Sequence, residues 1–113
     1  MNDKGIDRKR WAQLSLFEQM GNIGSEVGRA INAQRNGREE WMNGAIDRAI
    51  DLFDATAVVW AEKKSPRTRE ILRAKEQFLG LFYGKDTDGV DYGDPESLEH
   101  YFMQFAYAAR LHR

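Results

Sequence analysis

The sequence contains no cysteine among its 113 residues, so disulfides and thiolate metal sites are excluded and packing must hold the fold together. A cysteine-free chain fits a reducing compartment, and a cytoplasmic protein is expected. Proline is almost as scarce: the two present, Pro66 and Pro95, each follow a Ser or Asp directly. No apolar run approaches the roughly 20 residues that cross a bilayer, and the opening MNDKGIDRKR lacks the apolar stretch of a signal peptide. Neither membrane spanning nor export is expected. An excess of one charge is lacking too. The 17 basic and 18 acidic residues leave a formal charge of −1, which gives no global argument for nucleic acid or for an acidic partner. Any electrostatic signal must lie in the distribution. Period-two alternation, internal repeats and low-complexity tracts are also missing, which argues against a sheet, a solenoid or a second domain.

What is present suits one helical domain spanning residues 1–113, with residues 1–10 as a flexible lead. A chain of this length buries roughly two-thirds of its unfolded surface, enough for one core. Three Trp, six Phe and four Tyr supply that core. Ser15-Leu16-Phe17-Glu18 reads as a capping box, and Leu16, Met20, Ile23, Val27 and Ile31 form one helical stripe until Asn36-Gly37 breaks it. The acid pair Glu39-Glu40 opens a second helix, whose broad apolar face runs through Trp41, Ala45, Ala49, Leu52, Phe53, Val59 and Trp60 to Lys63-Lys64. Ser65-Pro66 and Asp94-Pro95 each place a capping side chain before a proline, where a helix tolerates a missing N–H. Behind them Ile71, Leu72, Lys75, Phe78, Leu79 and Phe82 make the third stripe, and Leu98, Tyr101, Phe102, Phe105, Ala108 and Ala109 the fourth. The expected helices cover 15–35, 38–63, 66–83 and 95–111. Short connections make the expected fold class all-α, an antiparallel up-down-up-down four-helix bundle.

No catalytic residue, cofactor or metal site is expected. Asp47, Asp51 and Asp54 share one side of the second helix at i, i+4 and i+7, as ligands of a hard cation would, but that side lies opposite the apolar face and reads as solvated surface. A magnesium-dependent helical nucleotide hydrolase would need paired acidic motifs on two helices. Glu39-Glu40 and Asp51-x-x-Asp54 fall on one. The run Asp86 to Asp91 resembles a calcium loop, yet alignment on Gly89 puts Gly84 and Pro95 at two essential ligand positions, so it reads as a turn. His100 and His112 have no serine or acid at catalytic spacing. Gly21, Gly24 and Gly28 lie together beside the first stripe at a propensity cost of about 1 kcal/mol each, which close approach of another helix would offset, inside the chain or across an oligomer interface. Asn22, Glu26 and Arg29 flank that stripe on its other side and are expected to join Arg48 in a structural polar network.

The segment from Trp11 through Leu14-Ser15-Leu16, Glu18-Gln19-Met20, Asn22-Ile23-Gly24-Ser25-Glu26-Val27 and Arg29-Ala30 resembles the opening of a family of small uncharacterised prokaryotic all-helical proteins. Arg48 to Leu52, Asp54, Thr56 and the closing Tyr101-Phe102, Phe105 to Arg110 extend the resemblance from about Arg10 to Leu111. Gly21 and Gly28 depart from the alanine and charged residue expected there. The resemblance implies a helical fold and no particular activity. Size and helix count are also loosely similar to the four-helix accessory proteins of the ribosomal S23-like and diversity-generating-retroelement group.

An up-down-up-down bundle converts sequence position into geometry. One pole would collect Lys4, Arg8, Lys9, Arg10, Lys63, Lys64, Arg67, Arg69, Arg73, Arg110 and Arg113, the other Glu39, Glu40, Asp86, Asp88, Asp91, Asp94, Glu96 and Glu99. From this group Arg8, Lys9, Arg10, Lys63, Lys64, Arg67, Arg69, Arg73 and Arg110 are the candidate nucleic-acid-binding residues. On the last helix Met103, Tyr107 and Leu111 make a second apolar strip, which with the glycine face predicts a homo-oligomer. The function expected is a non-enzymatic oligomeric adaptor or accessory subunit of a larger protein, RNA or DNA assembly, with its basic pole on phosphates. A purely protein-binding oligomer is the alternative.

Overall fold

Four of the five helices start where a side chain accepts a free N–H group of the first turn, and the one that opens at Glu39 has no such cap. A computed structural model, which describes residues 6–84 and 94–111, holds these five helices and no strand among the described residues. The first, α1 (Arg8–Ala12), is one short turn that periodicity did not reveal, capped by Asp7 Oδ1 accepting from the Lys9 and Arg10 amides. For α2 (Leu16–Arg35) the capping box forms: the Glu18 amide donates to Ser15 Oγ at 3.1 Å and the Ser15 amide to Glu18 Oε1 at 3.0 Å. In α4 (Arg67–Tyr83) the Arg67 amide donates to Ser65 Oγ, and in α5 (Pro95–Leu111) Asp94 accepts the Ser97 amide at 2.8 Å. That backbone bond, with the Ser97 hydroxyl second, holds the Asp94 carboxyl below the usual aspartate range.

Two helices end the same way. After α2 the Gly37 amide donates to Gln34 O and the Arg38 amide to Ala33 O, a Schellman closure with Gly37 at φ +68°. After α3 (Glu39–Glu62) the Lys64 amide donates to Ala61 O and the Ser65 amide to Trp60 O, with Lys64 at φ +54°. A lysine takes the left-handed position there that glycine takes after α2.

The most extensive packing joins α2 to α3 and to α5, whereas α4 leans mainly on α3. Met20, Ile23, Val27 and Ile31 of α2 are buried, as are Ala45, Ala49, Leu52, Phe53 and Val59 of α3. Phe53 is the junction: its ring lies 5.9 Å from Phe78 of α4 and 6.0 Å from Phe102 of α5. Two expected core residues are instead exposed. Trp41, in the first turn of α3, is 69% exposed and faces a cleft that it lines with the polar residues Arg29, Asn32 and Asn36 at the end of α2. Leu72 is 48% exposed because α4 turns Ile71, Ala74 and Phe78 inward and leaves Leu72 on its outer side.

Polar groups also enter the core. Gln19 and Thr56 are fully buried. The Trp60 indole donates to Gln19 Oε1 at 2.7 Å, Gln19 Nε2 donates to Trp11 O at 2.8 Å, the Trp11 indole donates to Thr56 Oγ1 at 2.8 Å, and Thr56 donates to Leu52 O. Breaking a link leaves a buried donor or acceptor unpaired, at about 1–3 kcal/mol per group.

The glycines of α2 set its distance from α5. A Cβ on Gly24 would stand 2.7 Å from Phe102 Cβ, and one on Gly21 3.4 Å from Ala106 Cα, whereas at Gly28 the nearest atom is Glu99 Oε2 at 3.9 Å. Alanine scanning should therefore split them. Gly24→Ala should lower the urea midpoint, since overpacking costs about 1–3 kcal/mol and outweighs the roughly 1 kcal/mol gained in helix propensity. Gly28→Ala should raise stability by up to about 1 kcal/mol. Equal responses at the two positions would contradict the close contact of α2 with α5.

Candidate nucleic-acid interface

The hydrogen bonds and ring contacts bring five segments to one end of the molecule. Gln19 joins the start of α2 to α1 and to Trp60 near the end of α3. Phe17 lies 6.4 Å from Phe105 in the second half of α5, and Tyr101 of α5 donates to Glu70 in the first turn of α4. The expected cations on these segments divide by their partners. Arg8 is drawn toward the middle of α3, where it pairs with Asp51 at 3.8 Å, and Arg67 pairs with Glu70 at 2.9 Å. The Lys63 ammonium sits 4.5 Å from the Trp60 ring centre. Lys9, Arg10, Lys64, Arg69, Arg73 and Arg110 are exposed and have no acidic partner among the described residues. Elsewhere Arg35 pairs with Glu99 and Lys75 with Asp54, Arg29 and Arg48 share the single carboxylate of Glu26, and Arg38 has no acidic partner among the described residues. Lys4 and Arg113 lie outside the described residues.

The acids of α3 have structural partners that its amphipathic pattern concealed. Asp51 accepts the Ile6 amide and faces Arg8, so it holds α1 against α3, while Asp54 accepts from Lys75 Nζ at 2.7 Å and holds α4. The expectation of one solvated stripe is thus corrected: of the three, Asp47 is the one left exposed without such a tie. Among the described residues no group of three or more His, Asp or Glu is close enough to share a metal ion. His100 is exposed, and the Asp86 to Asp91 run and His112 lie outside the described residues.

Glu26 accepts from Arg48 Nε at 3.1 Å and pairs with Arg29 at 3.1 Å, with only 13% of its side chain exposed. Asn22 stands apart from these groups and donates to Glu18 O in its own helix. Gly21 and Gly24 face α5 of the same chain, so the close approach they permit is used internally. Gly28, beside them, lines with Phe102 and Met103 a shallow groove of ≈ 200 Å³ between α2 and α5. Met103, Tyr107 and Leu111 are each at least 60% exposed on α5.

Beside the unpaired cations, Glu70 binds both Arg67 and the Tyr101 hydroxyl, the latter at 2.5 Å. Burial first, and the bond to Glu70 second, push the Tyr101 phenol well above its ordinary range. A phenol that ionises later in the folded chain than in the unfolded one adds stability that is complete below about pH 10, the ordinary tyrosine value, and lost as pH rises beyond it. Stability should therefore decline from about pH 10 upward. In Tyr101→Phe this alkaline decline should flatten, as read from denaturation midpoints across pH; an unchanged decline would remove Tyr101 as its source.

Compared with protein-family models, curated proteins and solved structures, the chain matches none.

Proposed function

We propose that the chain is a non-enzymatic adaptor or accessory subunit of a nucleic-acid-associated assembly, whose unpaired basic end contacts phosphates. The observation that carries this reading is the asymmetry of ion pairing. Lys9, Arg10, Lys64, Arg69, Arg73 and Arg110, on the segments that meet at the Gln19 end, have no acidic partner among the described residues, whereas Arg29, Arg35, Arg48 and Lys75 each contact a carboxylate. An exposed cation cluster is suited to displacing the counterions of a nucleic-acid backbone. The non-enzymatic reading is supported by the commitment of Asp51 and Asp54 to holding α1 and α4. We read the four long helices as an antiparallel up-down-up-down bundle, because partner numbers fall on one helix as they rise on the other: Gln19 with Trp60 and Glu26 with Arg48 for α2 and α3, Phe53 with Phe78 and Asp54 with Lys75 for α3 and α4, and Phe17 with Phe105 and Arg35 with Glu99 for α2 and α5.

Lys64 gives a sharp test. A side chain held at positive φ costs roughly 1–2 kcal/mol that glycine would not incur. Lys64→Gly should accordingly stabilise the fold by about 1 kcal/mol yet weaken duplex binding and reduce its salt slope by about one unit. Charge reversal at Lys64 and Arg69 should weaken binding more than reversal at Arg35, which lies at the other end of α2 and pairs with Glu99. Equal effects, or no binding at low salt, would leave the purely protein-binding alternative.

That alternative has its own support in the Met103, Tyr107 and Leu111 strip, which a second copy would remove from water. Sedimentation should give a mass above the monomer, and Tyr107→Ser with Leu111→Ser should return it to the monomer. A monomeric wild-type chain at every accessible concentration would refute self-association.

A further inference from the structure

The connection between α2 and α3 lies at the end of α2 away from Gln19 and the unpaired cations, and it shelters a cleft of ≈ 440 Å³. One wall carries Arg29 and Asn32 of α2 and Asn36 that caps its end, the other Arg38 just before α3 with Trp41 and Arg48 of its first half. We propose that this cleft binds a nucleotide, its base laid on the Trp41 indole and its phosphate held among Arg29, Arg38 and Arg48. The site is separate from the basic end and uses none of its residues.

Four observations converge on that ligand. Trp41 is the most exposed of the large apolar side chains among the described residues, at 69%, and the partner found on its ring is the Arg38 guanidinium, 5.4 Å from the centroid. An indole with open face area is a stacking platform for any base. The charge also fits. Arg29 and Arg48 share one carboxylate, Glu26, and Arg38 has no acidic partner among the described residues, so three guanidinium groups are opposed by one acid. The excess of two positive charges matches a phosphate monoester, which carries about −1.5 to −2 near neutral pH. Glu39 and Glu40, exposed in the first turn of α3, do not line the cleft. The Asn36 amide nitrogen donates to Asn32 O at 3.0 Å and lies 3.4 Å from Asn32 Oδ1, leaving Asn36 Oδ1 and Asn32 Nδ2 to meet a base edge. Finally, the volume lies within the roughly 300–1,000 Å³ of small-molecule sites.

The three indole N–H groups make the test direct. In a ¹H–¹⁵N correlation spectrum of the full chain, titration with AMP should shift the Trp41 indole saturably. Trp11 and Trp60, whose indoles are bonded to Thr56 and Gln19, should hold still. Trp41→Ala and Arg38→Ala, both at exposed side chains, should each weaken AMP about tenfold or more, read from the Asn32 and Asn36 amide signals of the same spectrum, with unmoved Trp11 and Trp60 signals reporting an intact fold. Adenosine and inorganic phosphate should each bind at least about tenfold more weakly than AMP, since each lacks one half of the recognition. A short single-stranded oligonucleotide distinguishes the source: tighter binding than AMP assigns the site to a nucleotide within a strand, weaker binding to a free nucleotide. No saturable Trp41 shift at millimolar AMP, inorganic phosphate equalling AMP, or undiminished AMP binding by Trp41→Ala would each overturn the proposal. Charge reversal at Lys64 and Arg69 should leave AMP binding unchanged, so the outcomes at the two ends are independent.

Discussion

A glutamine with no solvent exposure is tolerated only where its amide finds partners on the protein, and the position of Gln19 follows from that requirement. Its oxygen takes the Trp60 indole and its nitrogen gives to the Trp11 carbonyl, while the Trp11 indole continues to Thr56 and from there to the α3 backbone. The chain of bonds therefore ties α1, the start of α2 and the end of α3 to one another at specific atoms. Apolar burial would accept a helix slid or rotated by a fraction of a turn. A directional chain of buried bonds accepts one register.

With that register set, α3 can serve as the centre of the molecule. It meets α2 through the apolar stripe, α1 through Asp51 and Thr56, and α4 through Phe53 and Asp54. Phe53 also reaches Phe102, so α5 is gripped by α3 as well as by the glycine face of α2. The acids on the outer side of α3 are half exposed and their ion pairs contribute little energy each. Their effect is geometric: they choose where α1 and α4 settle on a helix whose core face is already occupied.

Local rules carried much of this structure in readable form. The capping box at Ser15, the cap-plus-proline pairs and Asn36-Gly37 are short-range devices, and all lie at helix boundaries in the structure. What escaped depends on contacts distant in sequence. Trp11 is a lone aromatic in a polar segment until Thr56, 45 residues away, accepts its indole. Asp51 and Asp54 look like solvated charge because periodicity describes one helix and says nothing of what packs on its polar side. Trp41 fits the apolar period of α3 and is exposed because α2 has turned polar where the two helices meet. Of the candidate cations, Arg8 finds a partner far along the chain in Asp51, while Lys63 and Arg67 find theirs one turn away at Trp60 and Glu70, a spacing that charge counting by pole passed over. The glycines were legible as a close approach, and the identity of the approaching helix was not.

Both connections that flank α3 retain features that stability alone does not favour. Lys64 occupies a left-handed position that glycine would fill with less strain, and Trp41 leaves an indole in water beside three arginines. Neither residue contributes to the core. The α2–α3 interface can carry these costs because its most constrained contacts, Gln19 with Trp60 and Glu26 with Arg48, lie within the helices rather than in the connections. Substitution at either connection then changes surface chemistry with little effect on register, and the two ends of α3 can serve separate ligands on one rigid frame. Features that disfavour folding, placed where the fold does not depend on them, are where binding is best sought.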